Sequence, residues 1–281
     1  MAVQYGSRLK RALTFYLPLT VMMVATLFPF YWMVVTSIRP DVELYSVKAN
    51  PFFTLHPTLS HFTYLFELTM FPRWAWNTLF IATVSTGISL FCGLLAGYAL
   101  ARLQFRWASP LGTIIFITYL VPPTLLFIPL GAVVKAFGIG DTPWAVILTY
   151  PTFLIPFCTW LLMGYFKTIP REIEDCARID GASRIQAMVR ISFPLAVPGI
   201  LSAGIFAFTL SWNEFLYALV FLSSPQQKTI PIGVFTELVR GDVFYWGPLM
   251  AGALLGSIPV ALVYSFFVEH YVTALTGAVK G

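Results

Sequence analysis

The chain has 281 residues, 58% of them hydrophobic and 10% charged, with a mean hydropathy of +0.79. A soluble globular domain carries about 25% charged residues, so this composition excludes one and indicates an all-α polytopic membrane protein. The net charge of +5 is spread over several loops rather than one face, which argues against nucleic acid as a partner.

Apolar runs long enough to cross a ~30 Å hydrocarbon core recur along the chain. Lipid offers backbone groups no partners, so these runs must be helices. The first span, about 12–36, follows Arg8, Lys10 and Arg11 and ends in Phe30-Tyr31-Trp32. It is too long for the apolar core of a cleaved signal peptide and is read as retained. A hydrophilic segment, 37–73, carries Arg39, Asp41, Glu43 and Lys48, with turns at Asn50-Pro51 and His56-Pro57. The second span, 74–101, holds Gly93-x-x-x-Gly97, a close-packing pattern of membrane helices.

Arg102 and Arg106 mark a short loop before the third span, 111–134. Thr142-Pro143 reads as an N-cap with proline at the first helical position, opening the fourth span at 144–166. The fifth and sixth spans are 197–222 and 245–268, separated by a loop at 223–242. The sixth holds Gly252-x-x-x-Gly256 and Pro259. Eleven of the seventeen Lys and Arg residues fall on the side of the termini, which places both termini in the cytoplasm. Cys92, Cys158 and Cys176 are lone thiols, and their spacing gives neither a disulfide framework nor a metal site.

Between the fourth and fifth spans lies a charged island, Thr168–Ile200, with five basic residues between Lys167 and Arg190 and four acids. Pro170 sets a helix start near Thr168, and Glu172, Glu174 and Asp175 suit the positive end of the helix dipole. Glu174 and Arg178 are spaced as a favourable i,i+4 pair. Asp180-Gly181 ends that helix, and Ser183-x-x-Gln186 reads as a capping box for a second one that stops before Pro194. The product is a two-helix hairpin outside the bilayer with its Gly turn exposed. An amphipathic hairpin at the headgroups would be richer in Lys and Arg. The near balance of charge favours a protein partner.

The run Glu172-Ile-Glu-Asp-Cys-Ala-Arg-Ile-Asp-Gly-Ala-Ser-Arg-Ile-Gln186, followed by Ile191-Ser-Phe-Pro194 and Pro198, resembles the EAA loop of ABC importer permeases, in its carbohydrate-uptake (maltose-type) version. Tyr98-Ala-Leu-Ala-Arg-Leu-Gln-Phe-Arg106, Trp212-Asn-Glu-Phe-Leu216 and the ending Ala274–Gly281 extend the likeness. Asp175, Cys176 and Phe193 depart from the pattern, standing where it has Glu, Ala and Leu. The resemblance implies a type I importer permease fold with six transmembrane helices. It also implies a coupling loop at 168–194 that docks on an ATPase subunit through Glu174, Asp175, Ala177, Asp180 and Gly181, with Ala182 and Ser183 beside the turn. The implied partners are a second permease subunit forming a heterodimer, two ATPase subunits that hold ATP and Mg, and an extracytoplasmic sugar-binding protein, and the implied location of this chain is a bacterial inner membrane. Segments 37–73 and 223–242 are the expected docking surface for that binding protein. No G-x-x-x-x-G-K-[ST] is present, so the chain lacks that device for holding nucleotide itself.

Candidate pathway residues lie inside the spans. Glu214 is a carboxylate at depth, costing about 2.5–3.5 kcal/mol on insertion scales. With Trp212 and Asn213 it either contacts the pathway or makes a structural hydrogen bond. Tyr119 and Thr124 beside Pro122-Pro123, and Tyr150 beside Pro151, combine hydroxyls with helix breaks and suit an uncharged polyol. A self-sufficient ion-coupled transporter needs carboxylates on more than one span, and Glu214 alone argues against it. An intramembrane protease is disfavoured because Asp141 of Gly138-Ile-Gly-Asp141 sits in a loop without a second Asp in any span. The three histidines, His56, His61 and His270, lie outside the spans, so no catalytic or metal site is expected.

Overall fold

A computed structural model describes residues 8–103 and 105–277, with side chains described for 10–103 and 105–267. Lys280 and the side chains of the ending 274–281 lie outside the described residues. Among the described residues four helices are long and apolar enough to cross a membrane: Ala12–Ile38, Phe71–Arg102, Pro143–Thr168 and Trp246–Phe267. Two bent pairs bring the number to six if each counts as one span.

The region 111–134 reads in sequence as one span, but the backbone divides it into Ala108–Leu120 and Pro123–Ala136, bent by 94°. Val121 and Pro122 are both extended, because each precedes a proline that excludes the helical region. The region 197–222 also differs from an unbroken helix. Val197–Trp212 ends at Asn213, and a short helix resumes over Leu216–Phe221. At Thr142-Pro143 the cap position is as expected, but the Thr142 hydroxyl donates to Ile139 O at 2.6 Å rather than capping the helix.

The chain forms two compact units. One comprises Pro72–Gly233 and Ile258–Gly281. Its centre is the contact between Phe71–Arg102 and Pro151–Thr168, made close by glycine. A Cβ added at Gly93 would lie 2.5 Å from Cys158 Cβ, and one at Gly97 would lie 2.9 Å from Met163 N. A hydrogen bond between Ser85 and Ser211 Oγ atoms, 2.9 Å, ties the same helix to Val197–Trp212. The loop after Phe221 is seated on this helix too. Trp74 Nε1 donates to Pro225 O, Asn77 Nδ2 to Gln226 O and Lys228 O, and Ile230 N–H to the Thr78 hydroxyl.

The other unit comprises Met1–Phe71 and Val234–Ser257. Its hydrophilic segment is organised by Arg39, which is only 5% exposed. Arg39 Nη2 donates to the carbonyls of Asn50, Pro51 and Phe53, and its own carbonyl lies 2.7 Å from His61 Nε2. A two-residue hairpin, Val239–Arg240 with Val243–Phe244, turns at Gly241 and accepts a hydrogen bond from the Tyr45 hydroxyl at Phe244 O.

Candidate coupling site

The charged island folds as a lever of two short helices. Arg171–Ile179 starts directly after Pro170, three residues later than the expected Thr168, which instead closes the preceding helix. Its C-terminus is closed by Gly181 at φ +94°. Gly181 N–H donates to Arg178 O, and Ala182 N–H reaches back to Ala177 O at 3.0 Å, the paired bonds of a Schellman closure. A Cβ at Gly181 would meet nothing within 4 Å, so the turn projects freely.

Ser183 then caps the second helix. Gln186 N–H donates to Ser183 Oγ, and the Gln186 side chain accepts from Ser183 N–H at 2.8 Å. This helix does not stop before Pro194. A π-helical turn over Met188–Ser192 carries it to Leu195, where it bends by 72° into Val197–Trp212.

Glu174 corrects the expected docking set. It faces inward and is 9% exposed. Its Oε1 accepts from the Tyr98 hydroxyl and its Oε2 from Ser192 Oγ at 2.9 Å. Arg102 Nε lies 3.6 Å from Oε2. The expected Glu174–Arg178 pair is not formed, because Glu174 turns toward Arg102 and Arg178 pairs with the exposed Asp175 at 3.5 Å. Glu174 thus fastens three elements together: the end of Phe71–Arg102, the first lever helix and the π turn.

Two further bonds brace the same joint. Arg102 Nη2 donates to Ile169 O at 2.9 Å, and Arg171 Nη2 donates to Ala101 O at 3.0 Å. Around it, Tyr98 packs edge-on against Phe166 and Phe193, so the family-atypical Phe193 completes an aromatic cluster. Asp175, Asp180, Gly181 and Ser183 are exposed, and Ala177 and Ala182 are half-buried. These six remain available at the surface.

Sequence reasoning did not assign Tyr98, Arg102, Arg171 and Ser192 to this site. The available signal was the i,i+4 spacing of Tyr98 and Arg102, which puts a hydroxyl and a cation on one helix face at a span end.

The pathway candidates are distributed. Glu214 caps the helix Leu216–Phe221: its carboxylate accepts from Tyr217 N–H at 2.8 Å and Ala218 N–H at 3.1 Å. Tyr150 is fully buried, its hydroxyl directed toward Glu214 without a hydrogen bond of normal geometry. Tyr217 donates to Pro123 O at 3.1 Å, linking this cluster to the Pro122-Pro123 break near Thr124. Trp212 is buried beside Phe208, Asn213 donates to Thr209 O, and Tyr119 lies on Phe157. Asp141 is likewise structural. Its carboxylate accepts from the amides of Ser223 and Ser224 and from the Ser224 hydroxyl. Burial raises its pKa, but these bonds offset that and hold the carboxyl below the ordinary 3.8. Among the described residues no group of three or more His, Cys, Asp or Glu side chains could hold a metal ion.

Apolar helices bent at prolines, with one polar two-helix lever between them, define a polytopic membrane protein. Residues 89–276 match the family described as binding-protein-dependent transport system inner membrane component, and the chain belongs to that family. It is 36% identical over 273 residues to the inner membrane ABC transporter permease protein YcjP of Escherichia coli (strain K12), covering 95% of this chain and 96% of that one. It is 35% identical over 264 residues to the sulfoquinovosyl glycerol transport system permease protein SmoH of Agrobacterium fabrum (strain C58 / ATCC 33970), covering 93% and 92%. Its fold is that of a chain in a bacterial ABC transporter involved in the import of the acidic polysaccharide alginate, with a TM-score of 0.80 at 20% identity over 95% of this chain and 99% of the other.

Proposed function

We propose that this chain is a permease subunit of an ATP-driven importer that moves a sugar or sugar derivative across the bacterial inner membrane, with the lever at 168–194 as its ATPase contact. The observation that carries this reading is the free Gly181 turn on a lever whose root is fastened by Glu174. A rigid lever with an exposed tip transmits movement only if a partner grips the tip. Asp175, Ala177, Asp180, Gly181, Ala182 and Ser183 are the gripping surface.

ATP and Mg belong to the two partner ATPase subunits, and a second, different permease completes a heterodimer. Lys and Arg placement supports a cytoplasmic position for both termini and the lever. The segment 37–73 and the loop 223–242 then face a sugar-binding protein on the other side. The carbohydrate assignment is supported by the relative named for sulfoquinovosyl glycerol. The ion-coupled alternative loses its one candidate, since both oxygens of Glu214 accept backbone amides.

The test is Gly181→Val in the reconstituted assembly. A β-branched side chain at φ +94° strains the turn and fills the space a partner needs. The expected result is an inserted, assembled transporter whose ATP hydrolysis no longer responds to the binding protein. Wild-type stimulation in this variant would refute the coupling role.

A further inference from the structure

A cavity lies beside the lever root, on the flank where Phe71–Arg102 passes into Ala108–Leu120. It encloses about 490 Å³. Arg106, Lys167 and Arg171 line it together with Ser109 and Thr113, and among the described residues no Asp or Glu does. The neighbouring cavity between the lever and Arg102 is different. Four arginines line it together with Glu174 and Asp175, which pair with Arg102 at 3.6 Å and with Arg178 at 3.5 Å. Arg171 lines both cavities, while Arg106 and Lys167 belong to the one without an acid in its lining.

That cavity is also polar at one end and apolar at the other. Beyond the cations and hydroxyls its walls are Phe116, Trp160 and Met163. Trp160 is 44% exposed on the outer surface of a candidate membrane span. The first turn of the 13-residue helix Ala108–Leu120 lines the cavity as well, and that helix has no side-chain cap at its N-terminus. Its dipole adds positive potential to that of the three side chains.

We propose that this cavity binds one anionic phospholipid, its phosphate held by Arg106, Lys167 and Arg171 and its acyl chains running along Phe116 and Trp160. Cations at a span end over an apolar, aromatic wall match a lipid in both charge and polarity. An acidic protein segment would match only the first. The inference needs only that the Arg102–Ala108 and Lys167–Arg171 junctions lie at a membrane surface, so it stands or falls separately from the coupling role.

The test uses the assembled transporter, stripped of lipid in neutral detergent and titrated with phosphatidylglycerol or phosphatidylcholine. Native mass spectrometry counts the lipid retained. The expected result is one more tightly held phosphatidylglycerol in the wild type than in Arg106→Gln/Lys167→Gln. Each single variant should retain it roughly five-fold more weakly, as for loss of one basic group at an anionic surface. Subunit mass in the same spectra confirms that the variants assemble. Equal retention by the double variant, or no preference over phosphatidylcholine, would overturn the proposal. So would full displacement by inorganic phosphate as effective as added phosphatidylglycerol, since the cavity would then be a phosphate site without use for its apolar wall.

Discussion

Glu174→Gln is the perturbation that most directly tests the fastened lever. The carboxylate holds two charge-assisted hydrogen bonds and an ion pair at 3.6 Å, with the Arg102 side chain 4% exposed and that of Glu174 11%. At an effective dielectric of about 20, two unit charges at that distance attract by about 4–5 kcal/mol. Much of this is offset by the cost of removing both charges from water. The amide is nearly isosteric, so the cavity term is small. It leaves Arg102 buried without its counter-charge, a loss of roughly 3–5 kcal/mol. Tyr98→Phe removes one hydrogen bond to a charged group and should cost about 1.5–3 kcal/mol.

Hydrogen exchange reads the effect where it arises. If Glu174 fastens the lever, the backbone amides of 171–192 should exchange roughly a hundred-fold to a few thousand-fold faster in Glu174→Gln, at about 1.4 kcal/mol per decade. The amides of Pro151–Thr168 should change little. Binding-protein-stimulated ATP hydrolysis should fall together with this local protection, because a loosened lever absorbs the stroke it ought to transmit. Glu174→Gln/Tyr98→Phe should cost less than the sum of the two single variants, since they share one network. Unchanged exchange and unchanged coupling in Glu174→Gln would refute the reasoning.

The lever's outline was legible in the sequence because its signals are local. Asp180-Gly181 announced the left-handed closure, and Ser183 with Gln186 announced the capping box three residues apart. The direction in which each acid points was not legible. Glu174 and Asp175 are neighbours of like charge, and one helical step turns the side chain by about 100°. Which of them faces inward depends on Tyr98 and Arg102, more than seventy residues earlier, and no pattern within the island encodes that. The break at Pro122-Pro123 was visible as composition, but the 94° bend was not, because proline forbids the helix without fixing the new direction. Glu214 shows the same limit. An isolated acid in an apolar run has one hydropathy value whether it faces a pathway or caps a helix.

Three other outcomes follow from the geometry. Gly97→Leu should disrupt assembly by overpacking, at about 1–3 kcal/mol or more, since even a Cβ would come within 2.9 Å of Met163 N. Gly164→Ala, with nothing within 4 Å, is the neutral control, and the yield of folded assembly separates the two. Asp141 has a folded pKa below 3.8, so its stabilisation is present above the unfolded value and lost as pH falls through the folded one. Asp141→Asn should therefore flatten the pH dependence of thermal stability below about pH 4, where the wild type still loses a carboxylate that holds Ser223 and Ser224. Asp175 carries the last prediction. Its side chain is 63% exposed, and its ion pair to the half-exposed Arg178 is worth at most about 1 kcal/mol. A charge so weakly held can be surrendered to a cation on an ATPase partner, whereas Glu174 cannot. Asp175→Ala should then lower stimulated ATP hydrolysis while leaving exchange across 171–192 at wild-type rates, the opposite pattern to Glu174→Gln. Asp175→Glu, one methylene longer, should keep the coupling. If Asp175→Ala instead speeds exchange as Glu174→Gln is expected to, the two acids do not divide gripping from fastening, and the docking surface must be drawn without Asp175.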